Sequence, residues 1–310
     1  MKRIVITGAL GHIGSRLIRD LPAIFPGAEI VLLDNLSTQR YASLFNLPSQ
    51  GRYQFIEADV VTADLAKIFV SADAVIHLAA ITDAAGTDGI PERVEEVNFI
   101  GTERVAQACI QTGSPLVFLS TTSVYGISSS VVDEDCPDLF PQSVYAHSKL
   151  KAERMLAALG QSRNLDFVTF RMGTVCGVSP GMRFHTAINK FVWQACMGIP
   201  LTVWKTAINQ QRPYLELGDA IGAIFFILRE RHFDRQIYNV VTANATVGEI
   251  IEYIRTHVPD LHINYVDSPI MNQLSYAVSS EKLKALGFEF TGSLPAEILA
   301  TVRLLRPNHR

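Results

Sequence analysis

The sequence predicts an α/β fold, a doubly wound parallel sheet with a smaller C-terminal α/β lobe, from three observations. Short apolar runs alternate with longer amphipathic stretches through residue 171, as expected of strands covered on both faces by crossover helices. The first run passes directly into TGALGHIG, with glycines at 8, 11 and 14. The second ends on Asp34, about twenty residues beyond Gly14.

The first strand is Arg3 to Thr7. Glycine costs roughly 1 kcal/mol inside a helix relative to alanine, so three in this turn need a compensating reason. A bound pyrophosphate supplies one. Gly8 allows the tight turn, Gly11 lets backbone approach the phosphates, and Gly14 lets the next helix pack closely on the sheet, its N-terminal amides facing the anion. That helix runs from Gly11 to Leu21 and stops at Pro22. The second strand, Ile30 to Leu33, delivers Asp34 to the adenosine ribose hydroxyls. Its charge repels a 2'-phosphate and selects NAD over NADP.

Further strands are expected at Tyr53 to Glu57, Ala74 to Leu78, Leu116 to Leu119 and Phe167 to Arg171. Helices fit between them, one from Pro91 to Thr112 ending at Gly113, another from Ser143 to Leu159 before Gly160. The glycine-rich GTVCGVSPGM after Arg171 opens a second lobe with a helix from Phe184 to Met197. A helix from Gly218 to Leu228 and the strand QIYNVV rejoin the sheet, and three short helices and a strand follow. Residues 1–172, rejoined by 214–241, then form an NAD-binding domain. Residues 173–310, mainly 173–213 and 242–310, form a substrate lobe with a cleft between the two.

With 310 residues the chain buries a substantial core, and a net charge of −3 gives no electrostatic case for nucleic acid or an anionic membrane. A direct start in a strand, without a long apolar span, points to a cytoplasmic protein. Cys109, Cys136, Cys176 and Cys196 are scattered, and neither they nor the histidines have metal-ligand spacing, so no metal is expected. His77, inside VIHLAA, reads as a satisfied core residue.

In VYAHSKLKAE, Tyr145 and Lys149 stand four apart at a helix start and share one face. A nearby ammonium stabilises phenolate, so Lys149 is expected to lower the Tyr145 pKa and let it exchange a proton with an alcohol or ketone. Lys149 could also hold the nicotinamide ribose. Thr121, where the strand LVFLS enters TTSVYG, is the candidate donor to the reacting oxygen, and Thr122 or Ser123 could bond sugar hydroxyls.

TGALGHIG, Asp34, HLAA, Asn98, STTSVYG and Tyr145-x-x-x-Lys149 together resemble the extended short-chain dehydrogenase/reductase family, more narrowly its NAD-dependent nucleotide-sugar epimerases and dehydratases. The resemblance implies that Thr121 works with Tyr145 and Lys149. It places Asp59 and Val60 near the adenine, Leu78, Ala79 and Ala80 along the cofactor, and Asn98 as a brace of the central helix. His12, Ile13 and Asn35 join the cofactor set. By the same resemblance Arg212 binds the nucleotide diphosphate, with Arg183, Asn189 and Thr174 in the same cleft. It also implies a homodimer through the helices Pro91 to Thr112 and Ser143 to Leu159, although Val94, Val97, Val105 and Met155 equally suit an ordinary core.

The sequence departs from the family pattern in two places: KTAINQQ replaces the usual glycine-aspartate-glycine turn before Arg212, and GTVCG replaces Asn-Val-Tyr-Gly. Base and sugar therefore stay open, UDP being the family's commonest nucleotide. Thr122-Ser123 stands where dehydrating members carry Asp-Glu, and the glutamate of decarboxylating members is missing too. Hydride chemistry alone remains, which favours epimerisation at sugar carbon 4. The alternatives are a one-way ketoreductase and a non-catalytic dinucleotide sensor.

Overall fold

The computed structural model describes residues 1–82, 89–126, 128, 130–267 and 275–306. In chain order the first half contains β1 (Arg3–Thr7), α1 (His12–Ile24), β2 (Glu29–Asp34), β3 (Arg52–Glu57), α2 (Leu65–Phe69) and β4 (Ala74–His77). There follow α3 (Pro91–Val94), α4 (Gly101–Thr112), β5 (Leu116–Thr121), β6 (Val131–Val132), α5 (Val144–Arg163) and β7 (Phe167–Met172). The second half contains β8 (Thr174–Cys176), α6 (Ala187–Cys196), β9 (Leu201–Trp204), β10 (Gln211–Glu216), α7 (Leu217–Glu230) and β11 (Ile237–Val240). It closes with β12 (Ala243–Thr246), α8 (Val247–Arg255), β13 (Ile263–Val266), β14 (Ala277–Val278), α9 (Glu281–Ala285) and α10 (Leu294–Leu305).

Seven strands form one parallel sheet in the order β11-β7-β5-β4-β1-β2-β3, a doubly wound Rossmann sheet. Alternate residues of each strand serve opposite faces. Ile4, Ile6, Ile30, Leu32, Ile76, Val168 and Phe170 pack under α1 and α7, with Leu17, Leu21, Ile221 and Ile224. Val5, Val31, Leu33, Val75, Phe118 and Phe167 pack under α4 and α5, with Val105, Cys109 and Leu156. Double-sided burial is why these strands read as unbroken apolar runs. After Met172 the chain leaves the sheet: β8 pairs with β10 in a three-stranded sheet, beside the separate core of the second lobe.

Several helices depart from expectation. α1 continues past Pro22 to Ile24. Proline removes a donor only near the helix end, and Leu21 and Pro22 are both buried, so packing outweighs the lost bond. α5 passes through Gly160 and ends at Asn164, which adopts φ 53°. Gly160 serves packing there, since a Cβ would sit 2.8 Å from the Phe167 ring. The run from Pro91 to Thr112 is helical, but Glu95–Ile100 winds as a π-helix, with Val97 and Asn98 buried on its inner side. The helix expected from Phe184 begins only at Ala187, leaving His185 and Thr186 on the cavity wall. After residue 242 the described residues form three helices but three short strands where one was expected.

Of the side chains weighed for a dimer interface, Val94, Val97 and Val105 lie in the core of this chain, and Met155 packs against it. Among the described residues no helix is long and apolar enough to cross a membrane. All four cysteines are free thiols.

Candidate active site

A cavity of about 820 Å³ opens between the carboxyl edge of the parallel sheet and the second lobe. Its wall includes every candidate named from sequence except Asn98 and Asn189.

The glycine turn forms one end. Gly8 adopts φ +65°, and a Cβ on it would lie 2.6 Å from the Ala79 nitrogen, so only glycine lets the turn meet the backbone after β4. A Cβ on Gly14 would lie 2.6 Å from the Ala9 carbonyl oxygen. Gly14 therefore closes the helix onto its own turn, and not onto the sheet as expected. At Gly11 a Cβ would meet only the Gly8 oxygen, at 3.3 Å, which leaves this position open on the cavity side.

Asp34 accepts hydrogen bonds from the Leu10 and Leu36 backbone amides, each at 3.0 Å, which ties the turn to the end of β2. Asp59 is held by the Val61 amide at 2.8 Å and Asn35 Nδ2 at 2.9 Å. Burial raises its pKa, but these bonds and the Arg93 charge outweigh that and leave the carboxyl below its ordinary value. His12 is buried, its Nδ1 2.9 Å from Ser179 Oγ and its Nε2 without a hydrogen-bond partner. Burial, followed by the charges of Arg183, Arg40 and His185, pushes it down to about 3, so it is neutral. A glycine cradle, cationic neighbours and an orphaned buried nitrogen fit an anionic dinucleotide.

His77 is the satisfied core residue expected. Thr102 Oγ1 donates to the Asn98 carbonyl, so it accepts from His77 Nε2 at 3.0 Å, and the Thr7 hydroxyl donates to Nδ1 at 2.7 Å. Asn98 links the backbone after β4 to α5. Its side chain exchanges two bonds with the Ile81 backbone and donates to Ser148 Oγ on α5, leaving nothing to face the cavity.

Ser143 caps α5 by accepting from the Ala146 amide at 3.2 Å, which starts the helix just before Tyr145. Thr121 hydrogen-bonds Tyr145. Burial pushes the Tyr145 phenol above its ordinary value, with Arg183 and Thr121 pulling it down. Lys149 stands one turn further along the same helix. Its side chain is buried, donates to the Leu119 carbonyl at 2.8 Å and lies 4.8 Å from the centre of the Phe118 ring, and Arg183 is the cation that acts on the phenol. Burial brings Lys149 down to about 7, with the Glu153 carboxylate opposing.

The second lobe supplies Thr174, Arg183 and Arg212 to the same cavity. Arg183 bonds Thr82 Oγ1, and Arg212 donates to Gln210 Oε1 at 3.0 Å. Asn189 does not line the cavity. It is fully buried, accepting from the Gly177 amide at 3.3 Å and donating to the Arg183 carbonyl at 3.0 Å, and so shapes the segment that carries Arg183.

Glu297 holds that segment too, accepting from the Val178 amide at 2.8 Å. Burial, then the charge of Glu216 and a hydrogen bond to it, raises Glu297 to about 7. A carboxyl that binds its proton more tightly when folded contributes stability that is full below its unfolded value, about 4.3, and is lost as pH rises through about 7. Glu297→Gln is therefore expected to melt about 1–3 °C above the parent at pH 8 and close to it at pH 5. Melting curves at the two pH values check this.

Sequence reasoning missed Arg40, His185 and Tyr276. Arg40 lines the cavity and donates to the Gly181 carbonyl at 2.8 Å, binding the second lobe to the region of Asp34. Tyr276, 4% exposed, brings its hydroxyl to 3.4 Å from Thr122 Oγ1. None of the three lies in a motif; each reaches the site only through tertiary folding.

A Rossmann sheet with a glycine turn, an acid after β2 and a buried Tyr-Lys pair at its carboxyl edge defines a dinucleotide-dependent protein of the short-chain dehydrogenase/reductase type. The chain belongs to the NAD dependent epimerase/dehydratase family, whose model matches residues 4–240, and its cofactor is NAD. It is 30% identical over 300 residues to an Arabidopsis thaliana trifunctional UDP-glucose 4,6-dehydratase/UDP-4-keto-6-deoxy-D-glucose 3,5-epimerase/UDP-4-keto-L-rhamnose-reductase, covering 93% of this chain and 45% of that protein. The chain thus spans under half the length of that relative. A Bacillus subtilis (strain 168) protein named as an uncharacterized UDP-glucose epimerase is 30% identical, with 81% of each chain covered. Among solved structures, a Streptomyces venezuelae dTDP-glucose 4,6-dehydratase with NAD bound superposes with TM-score 0.89 at 25% identity, covering 99% of this chain and 97% of the other. The Thermus thermophilus UDP-glucose 4-epimerase with NAD gives a TM-score of 0.86 at 26% identity, covering 99% of this chain and 100% of the other.

Proposed function

We propose that the protein is an NAD-dependent nucleotide-sugar epimerase that inverts carbon 4 through a transient 4-keto sugar. One observation carries the reading. Thr121, Tyr145 and Lys149 share a cavity with Arg183 and Arg212, while the carboxylates among its described wall residues are Asp34 and Asp59. Asp34 ends β2 and Asp59 follows β3, three and four strands from β5. At ~4.8 Å per strand they stand about 14–19 Å away across the sheet. Eliminating water from the sugar needs a further acid and base in addition to Tyr145, and the described wall offers no carboxylate there to supply them. The Thermus thermophilus structure named as a UDP-glucose 4-epimerase and the Bacillus subtilis relative named as an uncharacterized UDP-glucose epimerase support the reading; those named as 4,6-dehydratases mark its nearest competitor.

In this reading residues 1–172 and 214–241 hold the cofactor, and 173–213 with 242–310 hold the substrate. The glycine turn, Asp34 and Lys149 would hold NAD, which when bound supplies reversible hydride transfer at the sugar carbon. Tyr145 takes the proton of the C4 hydroxyl and later returns it to the same oxygen, while Thr121 orients that oxygen. Arg212 and Arg183 grip the diphosphate, so binding energy remote from the sugar anchors the substrate while the sugar turns over.

The test offers the purified protein UDP- and dTDP-hexoses and follows the anomeric and H4 resonances by NMR. Inversion at carbon 4 without net change in NAD(H) is the expected result. A 4-keto-6-deoxy product would instead mark a dehydratase, and stoichiometric NADH consumption a ketoreductase. Bound NAD with no turnover of any sugar would mark a sensor.

A further inference from the structure

Behind the Tyr-Lys pair lies a buried charge that the mechanism above does not use. Tyr145, Lys149 and Glu153 stand on successive turns of one face of α5, and each meets one of three consecutive residues of β5. Tyr145 is hydrogen-bonded by Thr121, Lys149 Nζ donates to the Leu119 carbonyl at 2.8 Å, and Glu153 Oε1 accepts from Ser120 Oγ. Lys149 and Glu153 are each 3% exposed. Glu153 is fixed from β7 by the fork of Arg171, whose Nη2 lies 2.7 Å from Oε2 and whose Nε lies 3.1 Å from Oε1.

We propose that Glu153 is a positioning residue for the reaction: its buried carboxylate, clamped by Arg171 and Ser120, keeps Lys149 charged and aligned on the strand that carries Thr121. This rests on Tyr145 and Lys149 being the acting groups. Residues four apart on a helix are neighbours, about 5–6 Å between Cβ atoms, so the carboxylate is within electrostatic reach of the ammonium. The other groups facing Lys149 cannot replace it. Tyr145 on the same helix and His77 from β4 are neutral, the histidine pushed down to about 3 by burial and then by Lys149 itself. Arg171 from β7 is cationic, and the Phe118 ring offers only its quadrupole. Burial alone drives a lysine toward the neutral amine, and Glu153 is the group that opposes this.

Lysine-selective 13C labelling and NMR titration of Lys149 test the proposal in the full-length protein. Glu153→Gln keeps the size of the side chain and one acceptor oxygen but removes its charge. It is expected to lower the Lys149 midpoint by at least about one pH unit, a tenfold change in the ratio of charged to neutral amine. The limb of the kcat profile that follows Lys149 should move to lower pH with it. Because Glu153→Gln leaves Arg171 buried without its partner and can unfold the chain, the same titration is run on Glu153→Gln/Arg171→Met, which leaves neither charge uncompensated. A Lys149 midpoint unchanged in whichever variant folds overturns the proposal, since packing alone would not move it. A shifted midpoint in a protein that turns over no nucleotide sugar would leave the Glu153–Lys149 linkage intact and refute the epimerase reading instead.

Discussion

Tyr145→Phe is expected to leave the protein folded and NAD-bound while lowering kcat at least about a hundredfold, the low end of what a positioned general acid-base group contributes. The substitution removes one oxygen and keeps the ring, so little packing is lost. Its chemical cost is high because neither of the other two members of the triad is a ready substitute. The Thr121 hydroxyl, which also bonds Ser123 Oγ at 3.1 Å, is far too weak an acid, and Lys149 is turned onto the Leu119 carbonyl. Burial makes the free Tyr145 phenol a poorer acid than usual, so its activation depends on cations in the assembled site, and Arg183 already acts in that direction. Single-turnover kinetics, NAD fluorescence titration and circular dichroism separate the outcomes. Near-normal turnover removes the tyrosine from the mechanism, and loss of NAD binding assigns it to the cofactor.

The part of this site that was legible in the sequence is the part written in local chemistry. A strand buried on both faces must be continuously apolar, and a turn in which a Cβ would lie 2.6 Å from backbone must be glycine, so β1, Gly8 and Gly14 declare themselves. Tyr145 and Lys149 are legible because a helix converts a spacing of four into a shared face. What escaped is decided by distant partners. Gly160 resembles a helix stop until Phe167 packs against it, and the π-helical stretch at Glu95–Ile100 has no signature in periodicity. Asn189 resembles a binding residue, yet both ends of its amide are taken by the backbone of Gly177 and Arg183.

Arg171→Met is expected to cost about 3–5 kcal/mol of folding stability, the usual penalty for breaking a buried ion pair from one side. Arg171 is 2% exposed and Glu153 3%, so a carboxylate left behind loses the guanidinium fork and is left, in a buried pocket, with the Ser120 hydroxyl and the more distant Lys149. The loss spreads further, because Arg171 Nη1 donates to the Tyr125 hydroxyl at 3.0 Å, and that hydroxyl donates to Asn239 Oδ1 on β11 at 2.8 Å. Asn239 in turn donates to the Ser279 carbonyl at 2.9 Å, so one guanidinium links α5, the loop after β5, the edge strand of the sheet and the segment beyond β14. A urea midpoint that falls with an unchanged slope reads the cost as stability. Glu153→Leu/Arg171→Met should recover most of it, because apolar groups of similar volume remove the uncompensated charge together with its partner. If the single variant instead unfolds within about 1 kcal/mol of the parent, the stranded carboxyl has taken up a proton or admitted water, and the pair contributes little to folding. Recovery in the double variant without recovery of turnover at pH 7 would separate the two duties of Glu153: its pairing with Arg171 satisfies the core, while its charge serves Lys149.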